Sequence, residues 1–362
     1  MKPPDNNHPG KTAPIQTQVE LAAQLGLSFV TINRALNGSH RVNDNTRQRV
    51  LDAVARLGYQ KNQLASGLVR RRSNLLGMVI CGSQYSFFGQ VALGAQVKAR
   101  ELGYHILLAD SEFDPTNERD AIHSLLSVRI AGLILQPVPG RNNPEFYQEL
   151  KRKKLPILTL VCRNPDISPF FLDSDNSGGM VAAVRHLVSL GHRRIAYLGG
   201  PLVQSDAQER HAGYCQGCHS LNLATATELI VNLPTYEVTA NLVAEAVKRL
   251  QVNGGPFTAL LTATDAIAML AINHLRECGI RIPQDLSVMG FTNMPECIFS
   301  SVPLTTMDQQ PRLMGARAVE ILIGLLDADH RPLSGNVRTP TMLISRASTA
   351  SLSSNVFNVL RH

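Results

Sequence analysis

The chain is 362 residues long with a net charge of +7, 44% apolar and 17% charged residues. That is too long for one ordinary domain and enough for two or three buried cores, with the composition of a globular protein. No apolar run approaches the length of a membrane span, and the polar, Pro-rich start MKPPDNNHPGKTAPIQ has no signal-peptide core, so residues 1–16 are expected to be a flexible lead-in to a cytoplasmic protein.

The first structured stretch is TQVELAAQLGLSFVTINRALNG, residues 17–38. Thr17 and Glu20 have the spacing of a capping box, Val19, Ala22 and Leu25 recur at helical intervals, and Gly26 supplies a left-handed stop. Ser28 then caps a second short helix that turns Ile32 and Leu36 inward and leaves Phe29, Val30, Asn33 and Arg34 facing out. A capped pair of this kind is the geometry of a helix-turn-helix, whose second helix enters a major groove. Helix pairs also occur in bundles that bind nothing, and a helix–helix core role is the competing reading of Phe29. Charge separates the two. Residues 1–72 hold eleven Lys and Arg against four acids, so the whole excess of +7 lies there and the remaining chain is neutral. Confinement of positive charge to one small module fits phosphate neutralisation.

A third helix follows Arg41-Val42-Asn43, with Val50, Ala53, Val54 and Leu57 as its apolar stripe and Gly58 as its end. Residues 17–60 thus make a small all-α head. Residues 61–73 contain a short helix-compatible segment and the run Arg70-Arg71-Arg72, read as a hinge helix or as a plain linker.

From Asn74 the texture becomes strands alternating with helices. One series is LLGMVI, ILLAD, GLILQPV and PILTLV; a second is FFLDSD, RIAYLGG, ELIVNL, TALLTAT and LSVMGFT. Short strands that are apolar on both faces belong to parallel sheets covered by helices. Residues 74–350 are therefore expected to form an α/β core of two doubly wound parallel-sheet lobes, the first about 74–161 plus 292–324 and the second about 162–291 plus 325–350. A ligand cleft lies between such lobes, at the carboxyl ends of the strands. Residues 351–362 are a tail too short for a coiled-coil seam. Cys215-Gln216-Gly217-Cys218-His219 has the spacing of haem attachment, but without an export signal or a second Cys/His pair it reads as ordinary helix; no cofactor or metal is expected. Neither a G-x-G-x-x-G turn nor a phosphate loop is present, and no catalytic constellation points to an enzyme.

In this order, LAAQLGLSFVTINRALNG, VNDNTRQRVLDAVARLGY, HLVSLGHRRIAYLGGP, ERHAGY, RIPQDLSVMGF, PLTT and LISRAST strongly resemble the lactose-repressor (LacI) family of bacterial transcription regulators, from about Thr17 to Thr349. The resemblance implies a homodimeric repressor of carbohydrate-related genes with a periplasmic-binding-protein-like core. Its partners would be a pseudo-palindromic double-stranded operator and a small-molecule effector that sets operator affinity through the hinge. Phe29, Val30 and Arg34 would read base edges, where Arg can bond guanine bidentately and apolar groups pack on thymine methyls. Thr17, Ser28, Thr31 and Asn33, with Asn37, Thr46 and Lys61, would touch the DNA backbone. Ala65 and Leu68 would enter the central minor groove. Lys61 stands where the family usually has proline, so the hinge entry is less rigid.

The effector positions carried over are Phe87, Phe88, Arg163, Asp175, Arg210, Tyr236, Asp265 and Thr292. A surface or inter-lobe ion pair is an equal reading of Arg163 and Asp175. Two departures mark the cleft: Thr264-Asp265 replaces the family's Asn-Asp, and Thr292-Asn293 stands where an aspartate is usual. With Arg210 retained, they suggest an anionic sugar derivative. The helix 311–326 is expected to serve the first lobe and the dimer interface.

Overall fold

The computed structural model describes residues 17–36, 38–59, 73–140, 144–326 and 336–352, in two compact units divided after Ser73. Among the described residues no helix is long and apolar enough to cross a membrane.

The N-terminal unit holds α1 (Gln18–Leu25), α2 (Phe29–Leu36) and α3 (Asp44–Leu57). Both halves of the expected capping box are formed, and Gly26 ends α1 at φ 65°, a conformation that costs glycine nothing. Asn43 caps α3 by accepting the Thr46 N–H at 2.7 Å. Leu21, Ala22, Ile32, Ala35, Val42, Val50, Ala53 and Tyr59 form the head's own core. The expected inward position of Val19 is not found: it is 64% exposed, and Leu21 takes the core site. Two adjacent apolar residues suffice to seat a helix of only two turns, so the spacing of Val19 was misleading.

The second unit contains two six-stranded sheets, as the strand series predicts, but the strands are shared out differently. The first sheet consists of β1 (Leu75–Ile80), β2 (His105–Asp110), β3 (Gly132–Leu135), β4 (Ile157–Leu160), β5 (Phe171–Ser174) and β11 (Asn336–Thr339), all parallel, in the order β11-β5-β4-β3-β1-β2. The second consists of β6 (Ile195–Gly199), β7 (Ile230–Asn232), β8 (Ala259–Thr262), β9 (Ser287–Thr292), β10 (Thr305–Asp308) and β12 (Met342–Ile344), in the order β12-β10-β9-β8-β6-β7. Only β12 in that sheet runs antiparallel to its neighbour. FFLDSD therefore closes the first lobe rather than opening the second, because Phe171 pairs with Thr159 of β4. PLTT joins the second lobe rather than the first, through Thr305 beside Met289. The chain crosses between lobes after β5, after β10 and between β11 and β12.

Helices cover both faces of each sheet. On the first, α4 (Ser86–Glu101) and α11 (Pro311–Leu326) bury one face, while α5 (Pro115–Ser127) and α6 (Pro144–Arg152) bury the other. The expected place of segment 311–326 on the first lobe is thus found. Glycines set its separation from α4: a Cβ added at Gly94 would lie 2.0 Å from the Arg312 carbonyl oxygen, and one at Gly315 1.9 Å from that of Val91. On the second sheet the helices are α7 (Asn176–Ser189), α8 (Ser205–Ser220), α9 (Ala240–Gly254) and α10 (Asp265–Glu277), packed on one continuous apolar core. The Cys-Gln-Gly-Cys-His stretch is the last part of α8, with Gly217 lying against Val184 of α7.

Candidate nucleic-acid interface and ligand cleft

In the head, helix α2 sorts its side chains sharply. Ile32 and Ala35 are buried, whereas Phe29 and Val30 are 46% and 51% exposed and Arg34 is also exposed. Two large apolar residues beside an arginine, all outside a core that is complete without them, form a surface suited to the floor of a major groove. This position removes the competing core role of Phe29. At the start of the helix, Ser28 Oγ accepts the Thr31 N–H at 3.1 Å and lies 2.8 Å from Thr31 Oγ1, leaving both hydroxyls at the positive end of the helix. Thr17 is exposed and Thr46 half-buried at the starts of α1 and α3, where backbone N–H groups face outward. Asn33 is different. Its Nδ2 donates to Gln18 Oε1 at 3.4 Å, tying α2 to α1. The expected contacts of Asn37, Lys61, Ala65 and Leu68 lie outside the described residues.

The core carries a cleft, partly open to solvent, between the two lobes. Of the expected effector residues, Phe87, Phe88, Arg210, Tyr236 and Thr292 line it. The first lobe also contributes Tyr85, Phe113 and Gln136, and the second Gln204, Asp206 and Thr264; Gln309 sits at a crossing. The lobes are bridged across it: Tyr85 Oη donates to the Tyr236 carbonyl at 3.0 Å and Gln204 Nε2 to that of Pro137 at 3.2 Å. Farther out, Ser86 Oγ donates to Glu296 at 2.6 Å, and Arg338 of β11 grips Glu209 of α8 through both nitrogens at 2.5 and 2.6 Å.

Arg210 is the centre of a buried polar network. Its Nε donates to Asn176 Oδ1 at 2.9 Å, its Nη1 to the Ala263 carbonyl at 3.0 Å, and its Nη2 lies 3.7 Å from Asp206 Oδ2. The guanidinium is stacked on Phe291, 4.8 Å from the ring centre. Asn176 in turn donates to Asp173 at 2.9 Å. Burial raises the carboxyls of Asp206 and Asp173 above their ordinary range, most strongly Asp173, while Arg210 opposes the rise at both.

Three expected ligand residues do not line the cleft. Asp265 is fully buried and fully engaged: it accepts Thr306 Oγ1 at 2.5 Å, Thr292 Oγ1 at 2.8 Å and the Met294 N–H at 2.8 Å. It fixes the turn after β9, where Thr292 and Asn293 have φ of 133° and 58°, unusual for residues with a Cβ. Asp175 caps α7 through the Gly178 N–H at 2.9 Å. Arg163 is exposed, and its backbone N–H meets Ser205 Oγ at 2.9 Å. Among the described residues neither forms a salt bridge, the other reading of both. Asp206 and Gln309 were not anticipated. The spacing Asp206-x-x-x-Arg210 on one helix was a legible signal, since residues four apart share a face. With Asp206 in the cleft, the carboxylate that seemed lost at position 292 is present at another, and the ground for an anionic ligand falls away.

A DNA-reading head joined to a two-lobed, cleft-bearing core defines a ligand-responsive regulator of transcription. Residues 19–62 match the model of bacterial regulatory proteins of the lacI family, and 184–349 that of a periplasmic binding protein-like domain. The transcriptional regulator AscG of Escherichia coli is 30% identical over 303 residues, covering 81% of this chain and 89% of that protein; DegA of Bacillus subtilis is 28% identical over 337 residues, covering 93% and 98%. The lac repressor dimer bound to operator and the anti-inducer ONPF superposes with a TM-score of 0.80 at 27% identity, over 93% of this chain and all of that one. The chain belongs to the lacI family and is a DNA-binding regulator of transcription.

Proposed function

We propose that the protein is a cytoplasmic, homodimeric repressor whose affinity for a pseudo-palindromic operator is set by a small molecule held in the inter-lobe cleft, and that it catalyses no reaction. The observation that carries this reading is the sorting of α2, with Phe29, Val30 and Arg34 outside a complete core. Phe29 and Val30 contact thymine methyls, Arg34 bonds a guanine, and Ser28, Thr31 and Thr46 hold the DNA backbone. Control genes concerned with carbohydrates are the class suggested by CelR, whose solved structure is a cellobiose complex and which superposes with a TM-score of 0.69 at 25% identity.

Binding-site selection on random duplexes, followed by anisotropy titration with and without metabolite extract, tests the reading. Arg34→Ala is expected to weaken the selected site by roughly 1–3 kcal/mol and to relax preference at one base pair per half-site. Equal weakening on all sequences would make Arg34 a phosphate contact instead.

The apolar residues left outside the first lobe support the dimer. Leu93 and Val97 of α4 and Leu313 of α11 are 37–39% exposed although these two helices pack tightly on each other. A second copy covering them would bury a continuous apolar strip. Sedimentation of Leu93→Glu/Val97→Glu should show monomers and operator binding weakened in step; an unchanged dimer would place the interface elsewhere.

A further inference from the structure

Hydrogen bonding on the wall of the cleft does not balance. Two buried acids, Asp206 and Asp173, share one buried cation, Arg210, directly in one case and through Asn176 in the other. Arg210 is committed to Asn176, Ala263 and the Phe291 ring. On the cleft wall, by contrast, Asp206 Oδ1 and Gln309 Oε1 have no hydrogen-bond partner among the described residues, although their side chains are more than nine-tenths buried. Both atoms are acceptors. Buried acceptors that the fold leaves unmet are costly unless a ligand supplies donors. Part of the remaining wall is aromatic: Phe113 and Tyr236, from opposite lobes, lie 10° from parallel with ring centres 6.3 Å apart.

We propose that the effector of this cleft carries a protonated amino group, whose N–H donors are taken by Asp206 and Gln309. The proposal rests on the reading of the cleft as the effector site. An ammonium group has three donors and no acceptor, and its positive charge favours the ionised form of the Asp206 carboxyl against the burial that raises it. Aromatic faces add to the attraction of a cation. A carboxylate or phosphate would bring acceptors to acceptors and charge repulsion to Asp206. Neutral hydroxyls satisfy the acceptors without the added strength of a charged donor, so they rank between the two.

The test is calorimetry on the full chain with matched compounds: glucosamine, galactosamine, putrescine and agmatine as amines, glucose and galactose as neutral forms, gluconate and glucose 6-phosphate as anions. At least one amine is expected to bind ten times more tightly than every neutral or anionic compound in the set. Asp206→Asn, nearly the same shape without the charge, should erase that margin. Should this variant fail to fold, Gln309→Glu keeps the proposal open to refutation, because a second carboxylate should tighten the amine and not the neutral sugar. A neutral or anionic compound binding more tightly than all the amines overturns the proposal, as does a set in which no amine binds, or a margin between amine and neutral sugar that Asp206→Asn does not shrink or Gln309→Glu does not widen. Operator titration separates this from the wider reading. If a neutral or anionic compound shifts operator affinity and no amine does, effector control stands and the amine class falls; if metabolite extract and every compound leave it unchanged, both fall.

Discussion

Gly315→Val should destabilise the first lobe by about 3 kcal/mol or more, the upper end of what overpacking ordinarily costs. The reason is the nature of the neighbour. A Cβ at position 315 meets the Val91 carbonyl oxygen at 1.9 Å and the Ala95 nitrogen at 2.7 Å, and at Gly94 the obstacle is the Arg312 carbonyl at 2.0 Å. These are backbone atoms of the facing helix, with no flexible side-chain end that can swing aside. The helices must separate, and buried residues on their shared face, such as Val91, Ala95, Met314 and Ala318, would lose contact together. Urea unfolding followed by circular dichroism checks the size of the loss. Gly324 supplies the control on the same helix: a Cβ there meets nothing within 4 Å. Gly324→Ala should therefore stabilise by roughly 0.5–1 kcal/mol, the ordinary gain of alanine over glycine within a helix. Equal effects at 315 and 324 would mean that helix propensity and not helix separation decides the outcome.

What could be read in the chain beforehand follows the range of the interactions involved. The head was legible because its determinants are local: the Thr17–Glu20 box, the Gly26 and Gly58 stops and the Asn43 cap act within a few residues. Even there, Val19 and Leu21 differ only in which side of α1 packs on α2 and α3, and the spacing of one short helix does not decide that. In the core, strands were visible as apolar runs, while their allocation was not. FFLDSD carries the same pattern whether it pairs with β4 or with β6, since both sheets are buried on both faces; the choice is made by long-range pairing. The cleft divides in the same way. Phe87, Phe88, Arg210, Tyr236 and Thr292 line the cleft, as their positions after strands or on α8 lead one to expect. Asp175 and Asp265 stand at helix starts, where a carboxylate that caps or pins a turn looks in sequence like one that awaits a ligand. Only the geometry of their hydrogen bonds separates the two roles. Asp206 also stands at a helix start, as the second residue of α8, and only its place four residues before Arg210 distinguishes it in sequence from a carboxylate that serves the helix end.

The network around Arg210 yields the second large effect. Arg210→Ala would strip a hydrogen-bond donor from Asn176 Oδ1 and from the Ala263 carbonyl, and leave Asp206 without its nearby cation, all at buried positions. Breaking a buried ion pair by removing one partner typically costs about 3–5 kcal/mol, because the charge left behind has neither water nor a counter-ion. The expected result is a loss of that size in thermal or urea unfolding of the core, together with loss of any effector response. Arg210→Lys separates charge from shape. A lysine keeps the positive charge but lacks the planar fork that meets Asn176 and Ala263 at once and lies flat on Phe291, so it should recover only part of the stability. The double variant Asp206→Asn/Arg210→Met decides whether the pair or the arginine alone matters. Since replacing both members of a buried pair with uncharged groups is far milder than breaking it, the double variant should be more stable than the single variant Arg210→Met, with a favourable coupling in the cycle completed by Asp206→Asn. If Arg210→Ala instead cost less than about 1 kcal/mol, the magnitude of a surface pair, water would be reaching the network and the cleft would be open enough to hydrate Asp206.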